Sequence, residues 1–184
     1  MFKSFIATTL ALFCLILSAC SPGVSGLESY INPNLGYQFL YPNGWIPVAI
    51  KGGGTEGVDV IYRDLINRDE NLSVIISDVP AGKTLADLGS PTEVGYRFLK
   101  NVNSDPSRQQ ETEFITAKSR DINGKNYYLL EYEVDLPNGE KRHNLASVVV
   151  NRNKLFTFNI STNQERWEKM ADTFTAVTSS FRVD

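Results

Sequence analysis

Thiols and histidine are scarce in this chain of 184 residues, which contains two cysteines and one histidine. Cys14 lies in an apolar run near the start of the chain, and Cys20 lies three residues after the end of that run. If the leader is removed and Cys20 is modified, no thiol remains for a disulfide, for thiol catalysis or for a thiolate zinc site. A serine triad would have to use His143, and the motif G-x-S-x-G is absent. These absences argue against a hydrolase.

An excess of basic residues is also missing, since 18 Lys and Arg stand against 21 Asp and Glu. This mildly acidic balance argues against a nucleic-acid partner, which would require a basic face. It also argues against binding to an anionic lipid surface by charge alone. No internal repeat and no second long apolar run follow the leader, so the chain is expected to form one ordinary domain.

The leader has the layout of an export signal. Lys3 supplies the positive charge, and the apolar run from Phe5 to Leu17 is too short for a membrane-spanning helix. The run ends in Leu17-Ser18-Ala19-Cys20, which resembles the lipobox of bacterial lipoproteins. In those proteins the cysteine takes a diacylglycerol and the peptide is cut just before it.

We therefore predict that residues 1–19 are a lipoprotein signal peptide and that Cys20 is the lipid anchor. Residues 20–29 are predicted to be a flexible linker, and residues 30–184 the folded domain. The alternative is an ordinary signal peptide that is cut after Ala19 and leaves Cys20 as a free thiol. An unpaired cysteine in an exported protein would then need another explanation.

Short aromatic and β-branched segments separated by turn residues predict an antiparallel sheet. Asn123-Gly124 is a strong two-residue hairpin signal, because both positions favour positive φ. Short connections of this kind make successive strands antiparallel neighbours. The predicted strands are Tyr37–Tyr41, Val58–Tyr62, Leu72–Ser77, Phe114–Ile122, Lys125–Leu136, Lys141–Val150 and Leu155–Ile160.

Two helices are predicted from capping patterns and apolar spacing. The first begins at Ser90-Pro91-Thr92-Glu93, a capping box with proline at the first helical position. The second follows Thr162-Asn163-Gln164-Glu165, read as another capping box, and carries a core stripe of Trp167, Met170, Ala171, Phe174 and Val177. The predicted fold class is α+β, with a central antiparallel sheet of about six strands between helices.

Two patterns that suggest chemistry, and one polar segment, have a simple structural interpretation. Gly52–Gly57 matches G-x-G-x-x-G, but a strand follows it, so we predict an exposed loop and no nucleotide site. Glu131 and Glu133 share a strand face, which is far more typical of ordinary exposed charges than of a glycosidase pair. The polar segment 63–71 is predicted to be an exposed loop.

His143 is the one side chain whose ordinary pKa lies near neutrality. A histidine near a turn is usually part of the polar surface. A metal site would require carboxylates to converge on it, and Asp135, Glu140 and Asp121 lie on adjoining turns or strands. We therefore keep a shallow, weak site for zinc, manganese or calcium at His143 as an alternative. No cofactor is expected to be required.

Many scattered segments together resemble the PsbP family, and in particular its cyanobacterial branch. The resemblance covers nearly all of the chain after the leader. The segments that carry it are Tyr37–Trp45, Val58–Asp64, Asn71–Ile76, Leu88–Gly95, Tyr128–Glu133, His143–Leu145, Lys154–Phe156 and Arg166–Trp167.

The resemblance implies a three-layer α/β/α domain on the lumenal side of the thylakoid membrane. It implies a non-enzymatic, monomeric protein, held by lipid on Cys20, that binds photosystem II reaction-centre subunits or assembly intermediates. Its role would be to assist assembly or optimisation of the oxygen-evolving complex. Residues 52–57 and 103–110 are candidate docking loops, because exposed loops on a rigid sheet commonly carry recognition.

The resemblance also bears on metal binding, including that of calcium. The plant pattern pairs a histidine that matches His143 with an aspartate, and here that second position is Gln164. A neutral amide is a poorer ligand than a carboxylate for a hard cation. The departure at Gln164 therefore weakens the expectation of a metal held by this pair.

Overall fold

The computed structural model of this protein describes residues 26–50, 56–103 and 109–184, without the side chains of residues 101 and 102. The predicted signal peptide, Cys20 and most of the predicted linker lie outside the described residues. Most of the two candidate docking loops, 52–57 and 103–110, lies outside them as well.

The described residues form two antiparallel sheets and two α-helices. The larger sheet has seven strands in the order β3-β4-β5-β9-β8-β7-β6, and the smaller has the order β1-β2-β10. The helices are α1 (Pro91–Val102) and α2 (Gln164–Ser180), and a 3-10 turn covers Ala86–Leu88. The strands are β1 (Leu27–Asn32), β2 (Tyr37–Pro42), β3 (Trp45–Pro47), β4 (Val58–Asp64), β5 (Asn71–Asp78), β6 (Glu111–Ile122), β7 (Lys125–Asp135), β8 (Lys141–Asn151), β9 (Lys154–Asn163) and β10 (Arg182–Val183).

This architecture confirms the predicted α+β class with a central antiparallel sheet. The sheet has seven strands rather than about six, because Trp45–Pro47 also pairs with β4. The small second sheet was not predicted. Its first strand begins at Leu27, three residues inside the segment predicted to be linker, so the folded domain starts earlier than residue 30.

The larger sheet separates two hydrophobic cores, which makes the domain three layers thick. Neighbouring residues on one strand point to opposite faces, so Tyr127 and Tyr128 enter different cores. On one face α2 and the small sheet cover the strands, with Phe174, Val177 and Phe181 fully buried. On the other face α1 packs its apolar side on β6 and β7, so the sheet lies between helices, as expected.

Local sequence accounts for the start of α1 but not for that of α2. The Ser90 hydroxyl and backbone N–H each donate to Glu93 at 2.8 Å, which confirms the first capping box. The second capping box is wrong, since α2 begins after Asn163 without a side-chain cap. The Thr162 hydroxyl instead donates to Glu70 Oε1 at 2.9 Å, because Thr162 is still part of β9.

Alkaline pH is expected to destabilise the fold through Tyr37. Burial and the hydrogen bond from its hydroxyl to Asp59 raise the pKa of Tyr37 far above its ordinary value. A tyrosine of the unfolded chain ionises near pH 10, so the stabilisation is complete below about pH 10 and is lost as the pH rises further.

Tyr37→Phe should therefore make the free energy of unfolding fall less steeply above about pH 10. Urea unfolding across that range measures this slope. Tyr96→Phe, at an exposed tyrosine of α1, is the matched control and should leave the slope unchanged. Parallel pH profiles for wild type and Tyr37→Phe would contradict the prediction.

Candidate functional site

The sequence-predicted histidine lies on the face of the larger sheet that α2 covers. In the antiparallel register His143 is opposite Glu133 of β7 and Thr162 of β9. Residues that face each other across an antiparallel pair project from the same side of the sheet. His143, Glu133 and Thr162 therefore form one row across three strands, close to the start of α2.

Four side chains contact His143, which is only 3% exposed. Its Nε2 lies 2.8 Å from Glu131 Oε1, and its Nδ1 lies 3.0 Å from Gln164 Oε1. Glu133 Oε1 is 3.7 Å from the same Nδ1. The imidazole stacks on the indole of Trp167, with 3.7 Å between ring centroids and 12° between planes. We call His143, Glu131, Glu133, Gln164 and Trp167 the histidine cluster.

The contacts hold both ring nitrogens and one face of the imidazole. A carboxylate and an amide oxygen are both acceptors, so the two hydrogen bonds are satisfied together when both ring nitrogens carry protons. With the Gln164 amide turned by half a rotation, its NH₂ group would donate to a neutral ring instead. In both arrangements His143 joins β7 and β8 to the first turn of α2.

The structure corrects two sequence interpretations of this region. His143 is buried, not part of an exposed polar surface, and the carboxylates that contact it are not those of Asp135, Glu140 or Asp121. Glu131 and Glu133 are not ordinary exposed charges, since their side chains are 27% and 18% exposed and face His143. The sequence did contain a signal for the contact between Glu133 and His143, because a hairpin symmetric about Asn138 places these two residues opposite each other.

A metal does not fit between the groups of the cluster as they are placed. Zinc holds nitrogen and oxygen ligands at about 2.0–2.2 Å, which puts two tetrahedral ligands about 3.3 Å apart. The His143–Glu131 separation of 2.8 Å is that of a direct hydrogen bond. Within the described ranges, no three His, Cys, Asp or Glu side chains lie together as a metal site. Metal binding at His143 therefore stays a prediction, and it requires this hydrogen bond to open.

Two variants test whether a metal ion binds at His143. If His143 binds zinc, manganese or calcium, His143→Ala should abolish the heat of binding, whereas Gln164→Glu should raise the affinity roughly tenfold by adding a charged oxygen ligand of the same length. Isothermal titration of the three proteins with each metal makes the measurement. Equal binding by wild type and His143→Ala would rule this site out.

A second polar group lies beside the histidine cluster and was not predicted. Glu70 is 1% exposed, although the sequence placed it in an exposed loop, so that part of the loop prediction is wrong. Its Oε1 accepts hydrogen bonds from the hydroxyl of Thr162 and from Nε of Arg166. The hydrogen bond to Glu70 raises the pKa of Arg166. This ion pair, which is buried only at its Glu70 end, connects the chain before β5 to the first turn of α2.

Arg142 also holds the loop before β5, through contacts with the end of β9 and with Asp69 of that loop. Its guanidinium donates to Ser161 Oγ at 3.0 Å, to Asn163 Oδ1 at 3.3 Å and to the carbonyl of Asp69. Burial lowers the pKa of Arg142. The loop before β5, the ends of β8 and β9 and the start of α2 are thus held as one framework.

Comparisons with known proteins agree with this fold. A family model described as PsbP matches residues 25–183, so the chain belongs to the PsbP family, and the resemblance seen in the sequence is confirmed. CyanoP of Synechocystis sp. PCC 6803 is 50% identical, with 100% of both chains covered. CyanoP of Thermosynechococcus vestitus is 41% identical, again over 100% of both chains. The solution structure of CyanoP from Synechocystis sp. PCC 6803 has a TM-score of 0.76 and 51% identity, and covers 91% of this chain and 99% of that one.

Proposed function

We propose that this protein is a lipid-anchored, non-enzymatic binding module that works on photosystem II or its assembly intermediates at the lumenal side of the thylakoid membrane. The observation that carries the proposal is the PsbP match, which spans residues 25–183 and therefore nearly the entire described fold. The 50% identity with CyanoP over both complete chains supports the same assignment. The partners would be reaction-centre subunits, and the outcome would be assembly or optimisation of the oxygen-evolving complex.

The anchor would act by raising the local concentration of the domain near its partner. Lipid on Cys20 confines the search to the membrane surface, so a weak protein contact suffices for high occupancy. The six residues from Ser21 to Gly26 would let the domain move about 15 Å from the lipid if they behave as a flexible tether. A membrane-embedded partner with lumenal loops lies within that range.

The framework around the histidine cluster suits a binding role. Glu70, Arg142 and His143 hold three separate segments in fixed positions without projecting far into solvent themselves. A surface that is already rigid loses little conformational entropy on association, which favours binding. The cluster is therefore assigned to positioning the contact surface. The protein is expected to act as a monomer and to need no cofactor.

The two candidate docking loops, residues 52–57 and 103–110, remain part of the proposal. Shortening each loop in turn, with a neutral linker in its place, should reduce recovery of photosystem II subunits for the loop that makes the contact. Unchanged recovery with both shortened loops would remove them as docking elements and leave the surface around the histidine cluster.

Recovery of oxygen evolution tests the proposed function in the cell. After photodamage, a strain that lacks this protein should regain oxygen evolution more slowly than wild type, because photosystem II is rebuilt more slowly. The wild-type chain should restore the rate, and electron transport through photosystem I serves as the internal control. An unchanged rate of recovery in the deletion strain would contradict the assembly role.

A further inference from the structure

Two large apolar side chains stand in solvent at the turn after β4. Leu65 is 57% exposed and Ile66 is 87% exposed, the highest value among the large apolar residues that the structure describes. They are adjacent in the chain and lie in the loop that joins β4 to β5. Isolated exposed leucines are ordinary, but a neighbouring pair at a loop tip is typical of a contact site.

The turn that carries this pair is firmly built. Asp64 Oδ1 accepts hydrogen bonds from the backbone N–H groups of Ile66 at 2.6 Å and of Asn67 at 3.0 Å. The N–H of Glu70 donates to the carbonyl of Asn67 at 2.8 Å, and the Glu70 side chain is tied to Arg166. The loop therefore holds Leu65 and Ile66 outward, although burying them would be favourable.

The tip lies at the end of the fold where the N-terminal segment enters. The N–H of Leu65 donates to the carbonyl of Gly44 at 3.2 Å, and the N–H of the adjacent Asn43 donates to the carbonyl of Gly26 at 2.8 Å. Gly26 is the first described residue, six positions after Cys20. Even a fully extended segment of that length spans only about 20 Å. A lipid on Cys20 would thus keep this end of the domain at the bilayer.

We propose that Leu65 and Ile66 form a membrane-contact tip, which inserts into the lipid interface and sets the orientation of the anchored domain. This inference rests on the proposed anchor at Cys20. Exposed Arg63 and Arg68 flank the tip and would face lipid phosphates. The negative charge of Asp69, next to Arg68, would oppose this attraction. The tip and the lipid give two points of attachment, which turn a freely rotating tether into an oriented one. The end with the histidine cluster then faces the membrane.

A fluorophore at position 66 tests the tip directly. Once Cys20 is acylated, Ile66→Cys supplies the single free thiol of the mature chain for an environment-sensitive label. The labelled lipoprotein is reconstituted into vesicles of phosphatidylcholine with a minor fraction of phosphatidylglycerol, some of which carries a quencher on its acyl chain. We expect blue-shifted emission and quenching several-fold stronger than for the matched label at Ile31→Cys. Ile31 is 63% exposed but lies at the far end of β1 from Gly26.

A second label separates the native side chains from the apolar dye. With the label at the exposed position Asp69→Cys, quenching should be present when Leu65 and Ile66 are intact and should be lost in Leu65→Ser/Ile66→Ser. Equal, water-like emission from positions 66 and 31 would overturn the proposal, as would quenching at 66 that needs added photosystem II. The vesicles contain no protein partner, so a failure here leaves the proposed partner untouched. Failure of the wild-type protein to float with vesicles would contradict the anchor and this inference together.

Discussion

Replacing Arg166 with alanine is expected to lower the free energy of unfolding by about 3 kcal/mol. The reason is Glu70, a carboxylate that is 1% exposed and relies on Arg166 for its charged partner. Without the guanidinium, only the Thr162 hydroxyl still donates to Glu70 Oε1. A buried charge left without its counterion is far more costly than the loss of an exposed ion pair. Denaturant unfolding at neutral pH measures the difference.

Removing the other partner of this ion pair, Glu70, gives the control. Glu70→Leu removes the buried charge and leaves an arginine that is 38% exposed and can be solvated, so its cost should be clearly smaller. The double variant Glu70→Leu/Arg166→Ala should recover much of the stability lost in Arg166→Ala alone. Arg97→Ala, at an exposed arginine of α1, should change stability by less than about 0.5 kcal/mol. Equal losses for Arg166→Ala and Arg97→Ala would contradict the assigned role of Glu70.

Replacing Cys20 with serine is expected to remove the processed protein from the membrane. Each methylene of a buried acyl chain contributes about 0.8 kcal/mol to membrane binding. Two acyl chains therefore raise the affinity of the protein for the membrane by many orders of magnitude, whereas a serine at position 20 adds nothing to it. Chains whose leader has been cut should therefore move from the membrane fraction to the soluble fraction. Mass spectrometry of the N-terminal peptide should show a diacylglycerol on the wild type only.

Cys14→Ser is the matched control, because Cys14 lies within the leader that is predicted to be removed. It should leave both acylation and membrane retention unchanged. If Cys20→Ser also leaves the processed protein on the membrane, the ordinary signal peptide that is cut after Ala19 becomes the better interpretation. Within the described residues, no helix is long and apolar enough to cross a membrane.

Local features of this fold could be predicted from the sequence because short-range physics determines them. The capping box at Ser90 and Glu93, the turn at Asn123 and Gly124 with φ of 53° and 78°, and the apolar stripe of α2 are all as expected. Each depends on residues only a few positions apart. The β6–β9 meander could be predicted for the same reason, since its short turns fix both the direction and the register of successive strands.

The polar framework could not be predicted in the same way. Glu70 is 92 residues from Thr162 and 96 from Arg166, so nothing near it in the chain indicates that it is buried. Thr162 is an example: the local sequence pattern predicts that it caps a helix, but its hydroxyl donates a hydrogen bond to the distant carboxylate of Glu70. In the histidine cluster, hairpin register brings Glu133 to His143, but Gln164 and Trp167 arrive only when α2 packs on the sheet.

Recovery of this protein with its partners is the most direct test of the proposed function. A tag at the C-terminus, with capture from detergent-solubilised thylakoids and mass spectrometry of the captured proteins, makes the measurement. The account predicts photosystem II reaction-centre subunits without the complete oxygen-evolving complement. The complete mature complex would instead indicate a permanent subunit, and capture of neither from the membrane would contradict the assignment to photosystem II.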